Sequence, residues 1–322
     1  MKKITTALFA ILTALILISC STPAADSSGC LSNINEAFTN AQKKNKDLLV
    51  IVTRNGDDAQ SQNFIDTIIR NENFKKDFSS QYSVVRMDFS QSSYQATVAP
   101  EDANETAKKN AEKRAQTMQD NTRFATLLNV SVTPMLYIFT KEGYLVTSIY
   151  YDTSDKTYEG FKEIFTEKKT ALDTMHQMIT ETRKGSAEDK MKAIDSLFES
   201  TAPENRIFLS DLLYSAKKID PQDKSGLLGK HLNNAIDAKA QKSLALGDVK
   251  TAVTTYLSAE AEASILPEDK QQSIYTAAYL ASVSNLEENT VVLEYLQKAI
   301  DIAPESDEVP AIKRVMEALS AQ

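Results

Sequence analysis

Cysteine and histidine, the side chains that most often carry chemistry, are scarce in this chain. Its 322 residues include two cysteines, Cys20 and Cys30, and two histidines, His176 and His231. The histidines lie far apart in sequence and neither belongs to an HxH or HxxxH pair, whereas a metal site needs several convergent ligands. The sequence therefore predicts no metal and no cofactor, and we expect both histidines to be ordinary surface or helix-face residues.

The arrangements that catalysis requires are also missing from the sequence. It contains no Ser/His/Asp or Cys/His pattern, no glycine-rich phosphate loop and no carboxylate pair at a plausible active site. The net charge of −8 argues against a surface for nucleic acid or anionic membranes. We therefore predict a protein that is not an enzyme and that does not bind nucleic acid.

The N-terminus, MKKITTALFAILTALILISC, has the anatomy of an export signal: two lysines, an apolar stretch and small residues before a cysteine. Residues 17–20 resemble the lipobox of bacterial lipoproteins. The resemblance implies a signal peptide over 1–19, with lipid on Cys20 and anchoring in the cell envelope. Ser21 would then favour the outer membrane, facing the periplasm, if the envelope is Gram-negative. The alternatives are an ordinary secretory signal or a membrane-spanning anchor, although the apolar run is shorter than the roughly 20 residues of a span.

Residues 20–30 are small and polar, so they predict a flexible tether between the lipid and the folded part. Cys30 ends this tether and is the odd cysteine once Cys20 carries lipid. It is either a free thiol or half of an intermolecular disulfide. We expect it to be incidental, with no internal disulfide in the mature chain.

The pattern of apolar residues changes near residue 160 and predicts two domains, over 31–182 and 183–322. The first alternates helical and strand-like segments in the order α, β, α, β, α, β, β, α. The run DLLVIVT (47–53) is apolar on both faces, as in a central strand, and VTPMLYIFTKEGYLVTSIYY (132–151) predicts a hairpin. The fold class is therefore an α/β domain with a mixed central sheet, followed by an all-α domain.

Over residues 31–182 the chain resembles the thioredoxin-like family. The resemblance rests on the element order, on NVSVTP (129–134) followed by MLYIFTKEGYLV, and on KNKDLLVIVTRNGDDAQSQNFIDTIIRNENFKKDF. It implies a cis peptide bond at Thr133-Pro134, with the backbone of Thr133 facing the loop over 57–61. In active relatives that edge holds an extended peptide. Alternatively, the proline only sets the fold.

The loop departs from the family at the residues that perform its chemistry. Family oxidoreductases carry Cys-x-x-Cys there, because a thiolate at a helix N-terminus has a lowered pKa. Alignment from the strand places Asp57 and Gln60 at these positions, whereas alignment from the helix places Asp58 and Ser61 there. No sulfur is present in either case, so we expect the domain to be redox-inactive.

Asp57 and Asp58 have two interpretations. They are good candidates for capping the helix that begins near residue 59, since a carboxylate accepts backbone N–H bonds and favours the positive end of the helix dipole. The functional alternative is an acidic patch that contacts a partner or a cation. Together with Gln60, Ser61, Thr133 and Pro134, they form the candidate peptide-binding site.

Residues 183–322 read as a series of helices punctuated by glycine and proline. Two segments resemble the second half of a tetratricopeptide repeat: GDVKTAVTTYLSAEA, with Gly247, Ala252, Tyr256 and Ala259, and NTVVLEYLQKAIDIAP, with Val292, Leu296, Ala299 and Pro304. The repeat spacing is 40 rather than 34 residues, so an irregular helical bundle is equally open.

The function predicted from these patterns is a non-catalytic envelope lipoprotein. It would bind proteins or peptides through the redox-inactive domain, the helical region, or both. Two alternatives are a thiol-dependent redox partner acting through Cys30 and a purely structural periplasmic adaptor. The partner's identity does not follow from the sequence.

Overall fold

The architecture comes from a computed structural model that describes residues 25–151 and 156–321. The predicted signal peptide over 1–19 and the predicted lipidation site, Cys20, lie outside the described residues. Within the described ranges no helix is both long enough and apolar enough to cross a membrane.

The first part of the chain is a mixed α/β region. Its elements are α1 (Ile34–Lys44), β1 (Leu48–Thr53), α2 (Ala59–Phe64), β2 (Ser83–Asp88), α3 (Gln91–Gln95), α4 (Glu105–Leu127), β3 (Met135–Phe139), β4 (Leu145–Tyr150) and α5 (Tyr158–Glu181). α2 continues into a π-helical turn at Ile65–Ile69, and a second π-helical turn covers Lys75–Ser79. The predicted element order is confirmed, except that α3 was not predicted.

The sheet has four strands in the order β2-β1-β3-β4. β1 pairs in parallel with β2 and antiparallel with β3, and β3 forms the predicted hairpin with β4. All six residues of β1 are buried, because Leu49 and Ile51 face one apolar cluster while Leu48 and Val50 face the other. A central strand covered on both faces explains the continuous apolar run.

The segment before α1 is folded rather than extended as a tether. Asp26 Oδ1 accepts hydrogen bonds from the backbone N–H groups of Ser28 and Cys30, at 2.9 and 3.0 Å. Leu31 forms a parallel bridge with Val85 at the outer edge of β2. The predicted tether over 20–30 is therefore too long at its C-terminal end, since residues 26–30 form a turn attached to the sheet.

Cys30 is a core residue and not an incidental thiol on a tether. It is 3% exposed and packs in the cluster that contains Phe78 and Phe165. Desolvation by burial raises the pKa of its thiol to about 12. This correction disfavours the alternative in which Cys30 acts as a reactive thiol, because thiolate and exposure are both required for exchange.

The second part of the described chain is helical. It contains α6 (Ala187–Ser200), α7 (Ser210–Ile219), α8 (Leu228–Ala245), α9 (Val249–Leu257), α10 (Pro267–Val283), α11 (Asn289–Ile302) and α12 (Val309–Ser320), with 3₁₀ turns at Pro203–Leu209 and Ser258–Ala261. From α7 to α12, each helix packs against the next one in the chain. Six residues of the repeat-like pattern are buried in the shared core, whereas Gly247 and Pro304 are exposed; the six are Ala252, Tyr256, Ala259, Val292, Leu296 and Ala299.

The two parts share apolar packing across the predicted boundary at 182 and 183. Ile179 of α5 is buried in one cluster with Ile194 and Ala235 of the helical part. The ring centroids of Phe208, in the 3₁₀ turn at Pro203–Leu209, and of Phe139, in β3, are 5.4 Å apart. The predicted boundary therefore lies between two helices, α5 and α6, and does not coincide with a gap in packing.

Candidate functional site

Three segments meet at one end of the sheet. The parallel pairing of Thr53 with Asp88 brings the ends of β1 and β2 together, and the antiparallel pairing of Val52 with Met135 places the start of β3 beside them. The loop over 54–58, the segment over 89–94 and the segment over 129–134 consequently form one surface. Such an edge is the usual place for a ligand in an α/β protein.

Asp58 is the N-cap of α2 and links two of these segments. Its Oδ1 accepts hydrogen bonds from the N–H groups of Gln60 and Ser61, at 2.8 and 3.0 Å. Its Oδ2 accepts from the hydroxyls of Ser61 and Thr133, the latter at 2.7 Å. Ser61 is fully buried, and its oxygen also accepts from the N–H of Arg54. The predicted cap at Asp58 is confirmed, and the same carboxylate joins α2 to the start of β3.

The ionisation of Asp58 follows from these contacts. Desolvation alone would raise the pKa of its carboxyl, but the hydrogen bonds from Ser61, Thr133 and Gln60 outweigh that effect and hold the pKa below its ordinary value. A carboxylate offers about four lone-pair positions, and all four are used here. The alternative in which Asp58 binds a cation or a partner is therefore disfavoured.

The structure distinguishes the two alignments of the loop. Asp58 and Ser61, rather than Asp57 and Gln60, lie beside Thr133. Gln60 instead accepts a hydrogen bond from the ammonium of Lys156 at 2.7 Å. At this point of the loop, the carboxylate of Asp58 and the hydroxyl of Ser61 bond to each other.

The prediction that Asp57 caps α2 is wrong. Its Oδ2 accepts from the backbone N–H of Gln91 at 2.7 Å, at the start of α3, and lies 3.7 Å from the guanidinium of Arg54. Asp57 therefore holds the loop against α3, a helix that the sequence did not predict, while Asp58 alone caps α2.

The Thr133-Pro134 peptide bond is cis, as the resemblance implies. Beside it lies a cavity of about 510 Å³, here called the cis-proline groove, whose lining includes Arg54, Phe89, Tyr94, Val130, Val132 and Thr133. Tyr94 and Val132 are 47% and 43% exposed, which is high for such large apolar side chains. The groove therefore offers an apolar surface to solvent.

The backbone in this groove has unused hydrogen-bonding groups. The N–H groups of Val132 and Thr133 donate to no other residue within the described ranges. A second cavity, of about 430 Å³, shares Val132 with the groove and extends to Asn205 and Phe208 of the helical part. The exposed backbone thus lies in the middle of a longer depression.

Sequence reasoning missed Phe89 and Tyr94. α3 has only five residues, too few to show a helical period. The remaining signal was the spacing of Ser90 and Ser93, because Ser90 is the N-cap and its hydroxyl accepts from the N–H of Ser93. That pattern predicts a helix start but does not place Tyr94 in the groove.

The two histidines do not converge on a site. His176 Nε2 lies 2.8 Å from a carboxylate oxygen of Asp47, whereas His231 is fully buried, with Nε2 3.2 Å from the carbonyl oxygen of Met191. His231 thus lies on the buried face of α8, so it is a helix-face residue, as one of the two expectations had it, and not a surface residue. No group of three or more metal-ligating side chains occurs among the residues that the structure describes.

Comparisons with known proteins found one family model and one solved structure that are similar to part of the chain. A family described as "Uncharacterised protein C-terminal domain" matches residues 227–322, which hold α8 to α12. A solved structure titled "DsbH Oxidoreductase" is similar at 16% sequence identity and a TM-score of 0.32, over 49% of this chain and 92% of that chain. No curated protein is similar enough to the chain to count as a match.

Proposed function

We propose that this protein is a non-catalytic binding protein that holds an extended peptide segment of a partner protein in the cis-proline groove. The proposal includes a thioredoxin-like plan for the α/β part. Two features support that plan: the strand order β2-β1-β3-β4 with Leu31 at its outer edge, and the cis Thr133-Pro134 bond opposite the start of α2.

The observation that carries the proposal is the unpaired backbone beside exposed apolar side chains. An extended peptide that lies along residues 131–133 would accept hydrogen bonds from the N–H groups of Val132 and Thr133. Its alternate side chains would pack on Tyr94 and Val132. Main-chain hydrogen bonds with side-chain pockets on alternate residues are the usual means of recognising an extended peptide.

Binding without chemistry follows from the residues that replace the thiols. Asp58 accepts hydrogen bonds from the hydroxyls of both Ser61 and Thr133, so the loop keeps its shape without a nucleophile. The remaining thiol within the described residues, that of Cys30, is buried and has a raised pKa. A role as a thiol-dependent redox partner is therefore disfavoured.

The proposal also covers the cellular location of the protein and the helical part of the chain. Lipid on Cys20 would anchor the chain in the envelope, facing the periplasm if that envelope is Gram-negative. The helices from α7 to α12, which pack consecutively, support a degenerate tetratricopeptide-like array. Through Asn205 and Phe208, this helical part borders the same depression as the groove.

The binding proposal is tested by phage display. A library of random dodecamer peptides is selected for binding to the full chain in mild detergent. Selected peptides should bind the wild type. The variant Val132→Asp should weaken their binding tenfold or more, since it places a charge in an apolar site. Val98→Asp is the matched control, because Val98 is 74% exposed but does not line the groove.

Two outcomes would contradict the proposal: a library that yields no binder, or selected peptides that bind Val132→Asp as tightly as the wild type. Thermal melting of both variants shows whether each is folded. Anchoring is tested separately by incorporation of radiolabelled palmitate into the expressed chain, which Cys20→Ser should abolish.

A further inference from the structure

A third cavity, here called the Arg86 cavity, lies on the opposite side of the loop at residues 54–58 from the cis-proline groove. It has a volume of about 550 Å³, within the range of small-molecule sites. Its walls come from the folded N-terminal turn at Asp26, from β2 at Arg86, and from Ile65 and Ile69 of the π-helical turn. It lies apart from the Asp58 network and is independent of the proposed peptide binding.

Arg86 is the main polar group of this cavity. Its side chain is only 24% exposed, yet its guanidinium donates no hydrogen bond to any residue in the described part of the chain. The nearest carboxylate oxygen, on Asp26, lies 3.6 Å away, beyond hydrogen-bonding distance. Arg86 and Asp26 thus form a long ion pair, and the guanidinium keeps donors that a ligand or water can engage.

Asn55 supplies an unused acceptor in the same cavity. Its backbone N–H donates to Asp88 at 3.0 Å, which fixes the residue at the end of β1. Its side-chain oxygen is buried and has no hydrogen-bond partner among the described residues. The cavity therefore offers strong donors at one point and a buried acceptor at another.

The charges around the cavity leave one cation without an ion pair. Its lining includes three cations, Arg70, Lys75 and Arg86, and two carboxylates, Asp26 and Glu72. Arg70 pairs with Asp66 and Arg86 pairs with Asp26, whereas Lys75 forms no ion pair within the described ranges. Ile65 and Ile69 are each 4% exposed and provide an apolar wall.

We propose that this cavity binds an organic carboxylate that carries a hydrogen-bond donor next to the acid group. The guanidinium of Arg86 matches the planar carboxylate in a bidentate pair. The neighbouring N–H or O–H donates to Asn55. Both an N-acylated amino acid and the C-terminal residue of a peptide have this chemistry.

The test is a ligand-detected NMR titration of the full chain in mild detergent. N-acetylglycine should bind, and N-acetylglycinamide, which lacks the carboxylate, should bind at least tenfold more weakly. N-acetyl-triglycine distinguishes the two sources: tighter binding than N-acetylglycine indicates a peptide terminus, and equal or weaker binding indicates a small molecule.

Variants locate the site. Arg86→Gln should weaken N-acetylglycine tenfold or more, and Asn55→Ala should weaken it several-fold. Arg314→Gln, on the exposed face of α12, is the matched control and should leave binding unchanged. Arg86→Lys keeps the positive charge but removes the bidentate donor geometry of the guanidinium. It replaces Arg86→Gln if that variant does not fold.

The proposal is overturned if N-acetylglycine does not bind the wild type. It is equally overturned if N-acetylglycine binds Arg86→Gln and Asn55→Ala as well as it binds the wild type, or if the amide binds as well as the acid.

Discussion

Asp58 shows how a single residue can fix the geometry of a loop that contains no thiol. Its two carboxylate oxygens accept four hydrogen bonds, two from the backbone at the start of α2 and two from hydroxyls. One of those hydroxyls belongs to Thr133, 75 residues later in the chain. Asp58 therefore acts as a helix cap and as a tie between segments.

Replacing Asp58 with alanine should destabilise the protein by about 1–2 kcal/mol. That range is the usual cost of losing an N-cap, and loss of the tie to Thr133 places the expected value at its upper end. Urea denaturation at pH 7 measures the change. Asp66→Ala is the control, because Asp66 forms an exposed pair with Arg70 and should change stability by less than about 0.5 kcal/mol.

The effect of Asp58→Ala should also depend on pH. The folded protein holds the pKa of Asp58 below the ordinary 3.8, so the contribution of the carboxylate is present above that value and is lost as the pH falls through the folded pKa. The difference between wild type and variant should shrink below pH 4. A difference that stays constant from pH 7 to pH 3 would contradict this account.

His231 should make stability depend on pH in a higher range. Desolvation by burial lowers its pKa below the ordinary 6.5 and outweighs the hydrogen bond to the carbonyl oxygen of Met191, which by itself would raise it. Below pH 6.5 the unfolded chain therefore binds a proton that the folded chain excludes, and stability falls as the pH falls.

The comparison variant is His231→Gln, whose amide can donate to the same carbonyl but does not titrate. Between pH 7.5 and 5.5, the wild type should lose more free energy of unfolding than this variant. Equal losses would show that His231 is not the group responsible.

At the scale of elements, long and strongly patterned segments could be predicted from the sequence. β1 and α5 lie close to their predicted positions. The continuous apolar run of β1 and the apolar stripe of α5 each indicate which residues are buried. α3 and the turn at residues 26–30 could not be predicted, since each is held by contacts with distant residues. Asp57 binds α3, and Leu31 binds β2.

The residues of the candidate site also differ in whether they could be placed from the sequence. Thr133 and Pro134 could be placed from the resemblance, because they belong to its motifs, but the resemblance left open whether Asp57 or Asp58 lies beside them. Tyr94 and the cavity around Arg86 could not be placed, because they depend on how a short helix and the N-terminal turn pack. No local period in the sequence encodes that packing.

Gly229 lies where α8 makes a close contact with the backbone at Ser264, and the sequence did not reveal this contact. A Cβ atom there would lie 2.0 Å from the carbonyl oxygen of Ser264, so α8 depends on glycine to approach this backbone. Glycine to alanine within a helix normally stabilises by about 0.5–1 kcal/mol. Here overpacking should reverse the sign, and Gly229→Ala should destabilise by about 1–3 kcal/mol.

Thermal or urea denaturation measures this change. Lys239→Ala is the control in the same helix, because Lys239 is exposed and its replacement should change stability by less than about 0.5 kcal/mol. An increase in stability for Gly229→Ala would show that α8 and Ser264 are further apart than described.

At the scale of the whole molecule, the two proposed recognition surfaces lie on either side of one loop. The cis-proline groove and the Arg86 cavity flank the loop at residues 54–58, and the adjoining depression reaches the helical part at Phe208. The shared core around Ile179 and Ala235 joins the two parts. A partner in the groove would therefore contact a surface to which both parts contribute.

The central claim is that unpaired backbone at the cis-proline groove binds a peptide. Amide hydrogen exchange of the full chain, with and without a selected dodecamer, tests this claim most directly. The account predicts that exchange at Val132 and Thr133 slows when the peptide binds, because their N–H groups gain acceptors. Unchanged exchange at these two residues, with protection confined to α7 to α12, would contradict it.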